Sequence, residues 1–134
     1  MTKTMRDIMS AAPVCMAPGD SVFAAARAMR RHATGTVLVL AGGRLRGLVT
    51  DRDIALLVLT ENRDPRTMMI GDICDGEVAT LGPDDDLDEA RRLVLEYAVR
   101  RIPVLENGAP VGVVSVGDLA LEAAPGPGAW SASS

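Results

Sequence analysis

Aromatic side chains are almost missing from this chain: one Phe, one Trp and one Tyr among 134 residues, or 2%. So few rings leave no platform on which single-stranded nucleic acid could stack, and a planar ligand would have to rest on aliphatic and methionine contacts. Histidine occurs once, at His32, with no recognisable serine or cysteine nucleophile beside it; it reads as a surface residue at a helix end, next to Arg30 and Arg31. The two cysteines, Cys15 and Cys74, lie far apart in the chain and in no CxxC or Cys/His grouping. They read as buried-strand or linker thiols rather than as a metal or redox pair. No apolar run approaches the roughly 18 residues of a membrane span, and the segment from Met1 to Asp7 lacks a signal peptide's apolar region, so a cytoplasmic protein is expected. Net charge is −4, which gives no long-range attraction to nucleic acid or anionic membrane. Paired carboxylates, a catalytic triad, a metal cluster and a phosphate-cradling glycine loop are all missing, and an enzyme is not expected.

What the chain has in quantity is repetition. Met5 to Ala55 can be laid over Ile70 to Ala120 at a constant spacing of 65 residues without a gap. Asp7 then falls on Asp72, Pro18 on Pro83, Asp20 on Asp85, Ala25 on Ala90, Arg27 on Arg92, Val39 on Val104, Gly47 on Gly112, Thr50 on Ser115 and Asp53 on Asp118. A single copy of roughly 60 residues is marginal alone. With 48% hydrophobic residues, the halves are expected to share one core and to leave paired clefts as equivalent binding sites.

Each copy reads as strand, helix, strand, strand, helix. A short extended piece (Val14-Cys15-Met16, or Val78-Ala79-Thr80-Leu81) leads into Pro and an acidic turn. Ser21 then caps a helix with Val22, Ala25, Ala26, Met29 and Ala33 on one face, while Asp86-Leu87-Asp88-Glu89 has the form of a capping box before Ala90, Leu93, Val94 and Tyr97. Two β-rich runs, Thr36 to Leu40 and Arg101 to Leu105, turn through Ala41-Gly42-Gly43 and Glu106-Asn107-Gly108 into Leu45 to Val49 and Pro110 to Val114, forming hairpins. Pro103 cannot donate to a ladder, which predicts that its strand starts late or lies at an edge. The acidic run Asp84-Asp85-Asp86, with Asp88 and Glu89, reads as charge complementing a helix N-terminus rather than as a metal site. The expected division is residues 1–62 and 68–124, joined by a polar connection, with 125–134 as a flexible tail. Trp130 in that tail is either solvated or an anchor on a partner subunit.

Gly47-Leu48-Val49-Thr50-Asp51-Arg52-Asp53 and Gly112-Val113-Val114-Ser115-Val116-Gly117-Asp118 share one form: Gly, two apolar residues, a hydroxyl residue at the strand–helix junction, and an Asp three positions on. Hydroxyl, carboxylate and free backbone N–H groups around one helix N-terminus can hold a phosphate and a ribose. The same spacing is also how a helix caps itself.

This doubled motif, with Arg100-Arg101-Ile102-Pro103-Val104 in the second copy, resembles a tandem pair of cystathionine β-synthase (CBS) domains, the Bateman module, over about Met5 to Ala123. Thr50-Asp51-Arg52-Asp53-Ile54 is similar to the small stand-alone bacterial members. The resemblance implies a mixed α/β (α+β) fold of two pseudo-symmetric β-α-β-β-α repeats packed through their sheets, assembling as a homodimer. It further implies a non-enzymatic sensor of an adenosine-containing ligand (AMP, ADP, ATP, NAD or S-adenosylmethionine), with no required cofactor or metal and with a regulated protein as partner. Asp53 and Asp118 would bind ribose, and Thr50 and Ser115 ribose or phosphate. The base would be read near Val14, Cys15 and Met16 or Ala79, Thr80 and Leu81, while Arg100 and Arg101, with Pro103 beside them, would line the phosphate end. Gly35-Thr36-Val37-Leu38 stands where the second copy has Arg100-Arg101-Ile102-Pro103, so the basic clamp is one-sided and the clefts need not bind equally. The alternative is a ligand-free protein-interaction module on the same fold.

Overall fold

In the computed structural model, which describes residues 3–74, 76 and 78–123, the first elements are α1 (Met5–Ile8), β1 (Ser10–Ala11), β2 (Cys15–Met16), α2 (Val22–His32), β3 (Thr36–Ala41), β4 (Arg44–Thr50) and α3 (Asp51–Glu61). A single 3-10 turn at Ile70–Asp72 follows, and then α4 (Leu87–Tyr97), β5 (Arg101–Glu106), β6 (Ala109–Ser115) and α5 (Val116–Ala123). The expected mixed fold of two β-α-β-β-α repeats is present, and Trp130 and its tail lie outside the described residues.

The compact units do not follow the sequence repeats. One unit is Pro13–Val78; the other joins the N-terminal segment through Ala12 to the chain from Ala79 onward. Backbone hydrogen bonds show what has been exchanged. In the discontinuous unit the Met5 N–H donates to the Asp85 carbonyl and the Arg6 N–H to that of Pro83, both at 2.9 Å. In the continuous unit the Ile70 N–H donates to Asp20 and the Gly71 N–H to Pro18, again at 2.9 Å. Every partner in one set is its counterpart in the other displaced by 65 residues, so each leader segment seats on the opposite repeat. Met5 and Ile70 are both 0% exposed and each sits in its own unit's apolar cluster, a burial that contributes about 1.5–3 kcal/mol per side chain.

Around those plugs the cores are built alike. Val22, Ala25, Met29, Val37, Val39, Val49 and Met68 surround Ile70, while Leu81, Ala90, Leu93, Ile102, Val104, Val114 and Leu119 surround Met5. The helix faces are narrower than the periodicity suggests. Ala26 is exposed, and Ala33 leaves α2 in the left-handed conformation that ends the helix. Tyr97 is likewise 58% exposed.

The hairpins β3–β4 and β5–β6 turn through Gly42-Gly43 and Asn107-Gly108, all at positive φ, as a two-residue turn matched to strand twist requires. Both carry a register shift at the same place, after Val39 and after Val104. The two sheets differ beyond the hairpins. β2 runs parallel to β3, with Cys15 opposite Leu38, whereas β1 lies antiparallel to β6 with Ser10 opposite Val113. In the second repeat the equivalent of β2 is reduced to one bridge between Leu81 and Val104.

Pro103 explains that reduction. The Leu38 N–H donates to the Val14 carbonyl at 2.8 Å, and Pro103, standing at Leu38's position, has no N–H to give Ala79. The strand lies at its sheet's edge, as the proline requires, but it does not start late, since Arg101 already pairs with Ser115.

The expected capping box at Asp86 is half made. Asp86 accepts the Glu89 N–H at 2.9 Å, but the Glu89 carboxylate is drawn away to Arg92, 2.6 Å from its guanidinium. Cys15 and Cys74 are free thiols; Cys15 is exposed on β2 rather than buried, although nearby atoms desolvate its sulfur enough to raise the thiol's pKa.

Candidate functional site

At the head of α3 the Thr50 N–H donates to Asp53 Oδ2 at 3.0 Å, and the Asp53 N–H donates back to Thr50 Oγ1 at 3.2 Å. At the head of α5 the Ser115 N–H donates to Asp118 Oδ2 at 2.9 Å and the Asp118 N–H to Ser115 Oγ at 3.1 Å. Both motifs are therefore reciprocal caps, the structural use of that spacing. Capping does not exhaust them. A carboxylate offers two oxygens and about four lone pairs, and the cap uses Oδ2, leaving Oδ1 to other donors. Asp53 is exposed and Asp118 half-buried.

The two heads differ in what surrounds them. The N–H groups of α3 are not free, contrary to expectation. Asp51 donates to the Gly35 carbonyl at 3.0 Å, Arg52 to Asp51 Oδ1 at 2.8 Å, and Asp53 to Thr50. The Asp51 carboxylate also fills the space over Gly35, where a Cβ would lie 2.9 Å from its Oδ2. At α5, Val116 replaces Asp51 and its N–H donates to the Arg100 carbonyl at 2.9 Å. Gly117 replaces Arg52, and a Cβ there would touch only Ser115 Oγ, at 3.6 Å. The first head thus carries Asp51, Arg52 and Asp53, and the second Asp118 alone, with Arg100 and Arg101 at the start of the neighbouring strand.

The main-chain positions expected to read a base are only partly available. Cys15 and Met16 pair with Leu38 and Val39, and the Val14 carbonyl is taken by Leu38. Leu81 is buried, donating to the Pro103 carbonyl at 3.1 Å and accepting from the Leu105 N–H at 2.8 Å, so its polar groups are committed to the ladder. Ala79 is half-buried against the core and Thr80 exposed. Arg101, opposite Ser115, is half-buried at the start of β5; Arg100 is exposed, and Pro103 is buried within the strand.

The acidic run has a structural role at each residue. Asp85 accepts the Gly82 N–H at 2.7 Å, as Asp20 accepts that of Ala17 at 2.9 Å, Asp86 caps α4, and Asp84 lies 3.8 Å from Arg6. Among the described residues no group of three or more His, Cys, Asp or Glu side chains is placed to hold a metal ion.

Sequence reasoning passed over one cluster. Arg27, Arg30 and Arg31 line an open hollow of about 430 Å³ on α2. The available signal was that α2 has no acidic residue while its counterpart α4 has Asp88, Glu89 and Glu96.

Comparison with known proteins agrees with this architecture. A family model described as CBS domain matches residues 5–60 and again 70–124. The CBS domain-containing protein YhcV of Bacillus subtilis is 31% identical over 118 residues, covering 88% of this chain and 84% of that protein. Hypoxic response protein 1 of Mycobacterium tuberculosis is 33% identical over 118 residues, covering 87% and 82%. A crystal structure of Hypoxic Response Protein I with two coordinated zinc ions superposes with a TM-score of 0.77 at 32% identity, over 89% of this chain and 98% of that one. The CBS domain pair of protein MJ0100, crystallised with 5-methylthioadenosine and S-adenosyl-L-methionine, shares the fold with a TM-score of 0.79 at 23% identity, over 91% and 96% of the two chains.

Proposed function

The chain belongs to the CBS-domain family, carrying two such domains in tandem, and we propose that it is a non-enzymatic regulatory module that senses an adenosine-containing ligand such as AMP, ADP, ATP, NAD or S-adenosylmethionine. One observation carries the reading: the hydroxyl–carboxylate pair recurs at the same junction of both repeats, each time with a carboxylate oxygen left over from the cap. A ribose diol, two donors on adjacent carbons, suits that oxygen. With so few aromatic residues, the base lies against aliphatic and Met side chains.

The Ser115–Asp118 head, with Arg100 and Arg101 close by in the hairpin, suits a ligand that carries phosphate, and the Thr50–Asp53 head, with Asp51 beside it, suits a less anionic one. That a pair of the same fold has been crystallised with adenosine compounds supports this class of ligand. The zinc ions belong to Hypoxic Response Protein I, and no metal is part of this proposal.

The working form is a cytoplasmic homodimer that passes its state to a regulated protein. Leu59, Leu95 and Leu121, 81%, 85% and 74% exposed, offer apolar helix surface for such contacts, and the reducing cytoplasm suits two free thiols. These same leucines favour the second reading, an interaction module without ligand. Calorimetry with AMP, ATP, NAD and S-adenosylmethionine separates them: heat from at least one compound, lost in Asp118→Ala and reduced in Asp53→Ala, is expected for the sensor. No heat from any, with partner capture from extract indifferent to nucleotide, rejects it.

A further inference from the structure

Duplication provides an internal control for every charged residue, and α2 departs most from its copy. On α4, Arg92 is clamped by Glu89 at 2.6 Å and by Glu96, and Arg91 lies 3.2 Å from Asp88. On α2 the counterpart of Arg92 is Arg27, but Ala24 stands where Glu89 would be and Arg31 where Glu96 would be. Arg30 replaces Leu95. Among the described residues no carboxylate pairs with Arg27, Arg30 or Arg31.

Positions 27, 30 and 31 share one helix face at i, i+3 and i+4, where like charges repel. The helix dipole favours Arg30 and Arg31, which lie in the last turn, but not Arg27, a turn earlier. A fourth cation joins the flank: the Arg66 guanidinium lies 4.4 Å from the centroid of the Phe23 ring, which Arg27 also approaches at 5.9 Å. Three guanidinium groups thus line an open hollow of about 430 Å³. Their planar forks match phosphoryl oxygens two bonds at a time.

We propose that this hollow is an anion site for a compact molecule carrying two or more phosphoryl groups, built from Arg27, Arg30 and Arg31 and independent of the Ser115–Asp118 and Thr50–Asp53 heads. The net charge of −4 argues against an extended nucleic acid as the natural occupant, and three guanidinium groups within two turns of one helix suit a compact polyanion.

The test is calorimetry of the full chain with inorganic pyrophosphate, inorganic tripolyphosphate, adenosine and ATP, at low and moderate ionic strength. Tripolyphosphate is expected to bind, with affinity falling as salt rises. The exposed double change Arg30→Gln/Arg31→Gln should weaken it by roughly tenfold or more, while the control Arg44→Gln/Arg46→Gln, exposed on β4, leaves it unchanged. Far-ultraviolet dichroism confirms that the double variant is folded. ATP binding more tightly than tripolyphosphate, with the excess surviving in the arginine variant, assigns the inorganic anion to this hollow and the nucleoside to the heads. Tripolyphosphate heat lost in the arginine variant, beside no heat from AMP, NAD or S-adenosylmethionine, rejects the sensor reading and supports this one. Absence of heat from both inorganic anions overturns the proposal, as does binding that the arginine changes do not weaken, or capture of an acidic peptide or oligonucleotide at these arginines without tripolyphosphate binding.

Discussion

Gly71 rests directly on Pro18. The Gly71 N–H donates to the Pro18 carbonyl at 2.9 Å, and a Cβ at position 71 would stand 2.6 Å from Pro18 Cβ and 2.9 Å from that same oxygen. Its counterpart Arg6 makes the matching bond to Pro83 from an α-helical turn, with its side chain outside, whereas the tighter 3-10 turn at Ile70–Asp72 brings Gly71 onto the proline.

Gly71→Ala is therefore expected to cost about 1–3 kcal/mol, since backbone and a proline ring must both yield. Gly76→Ala, where no atom lies within 4 Å of the new methyl, serves as the control and should be nearly neutral. Urea unfolding of the two variants checks this; equal midpoints would contradict the close approach.

Met5→Ala should damage the repeat that does not contain it in sequence. Removing a fully buried Met costs about 2–5 kcal/mol, and the lost amide protection should concentrate at residues 79–120, while Ile70→Ala exposes residues 13–60 instead. Hydrogen exchange read by mass spectrometry separates the outcomes. Protection lost from a variant's own repeat would refute the exchange of leaders.

Pro103→Val restores the donor that Leu38 has in the first repeat. The new N–H is expected to bond to Ala79, extend the Leu81–Val104 bridge into a strand and add about 0.5–1.5 kcal/mol. Slow exchange of the new amide at position 103, followed by NMR, is the signature; a rapidly exchanging amide there would show that some other constraint keeps the strand short.

The Arg92 guanidinium, donating to Glu89, holds that carboxyl below the usual glutamate range. A carboxyl with a depressed folded pKa adds stability fully present above its unfolded pKa of about 4.3, and that stability fades as pH falls through the lower folded value. Arg92→Ala should return the Glu89 titration to the ordinary range and flatten the acid limb of stability, as followed by carboxyl carbon shifts against pH. Both groups are exposed, so the shift in titration, rather than a large loss of stability, is the readout.

Much of this was legible because local rules were obeyed. Ser21, Thr50 and Asp86 accept the amides their spacing assigns them, and the Asn107-Gly108 turn makes the hairpin it encodes. The seating of Met5 on Asp85 was not legible, because a gapless repeat fits self-contained copies and exchanged ones equally well. Local spacing also did not reveal that Glu89 prefers Arg92 to its cap, or that Asp51 closes the amides of α3, since each is a competition among several partners for one carboxylate. The arginine cluster was visible in the residues but gained meaning only when Arg92 was found clamped on the sister helix.

The crossed leaders also impose an order on biosynthesis. Pro13–Val78 is contiguous and can close as soon as its last residues clear the ribosome, whereas Met5, synthesised before it, waits with its greasy side chain uncovered until β6 has emerged. A nascent chain stalled near residue 80 would hold one finished half and one orphaned hook, which is where a chaperone would find its target.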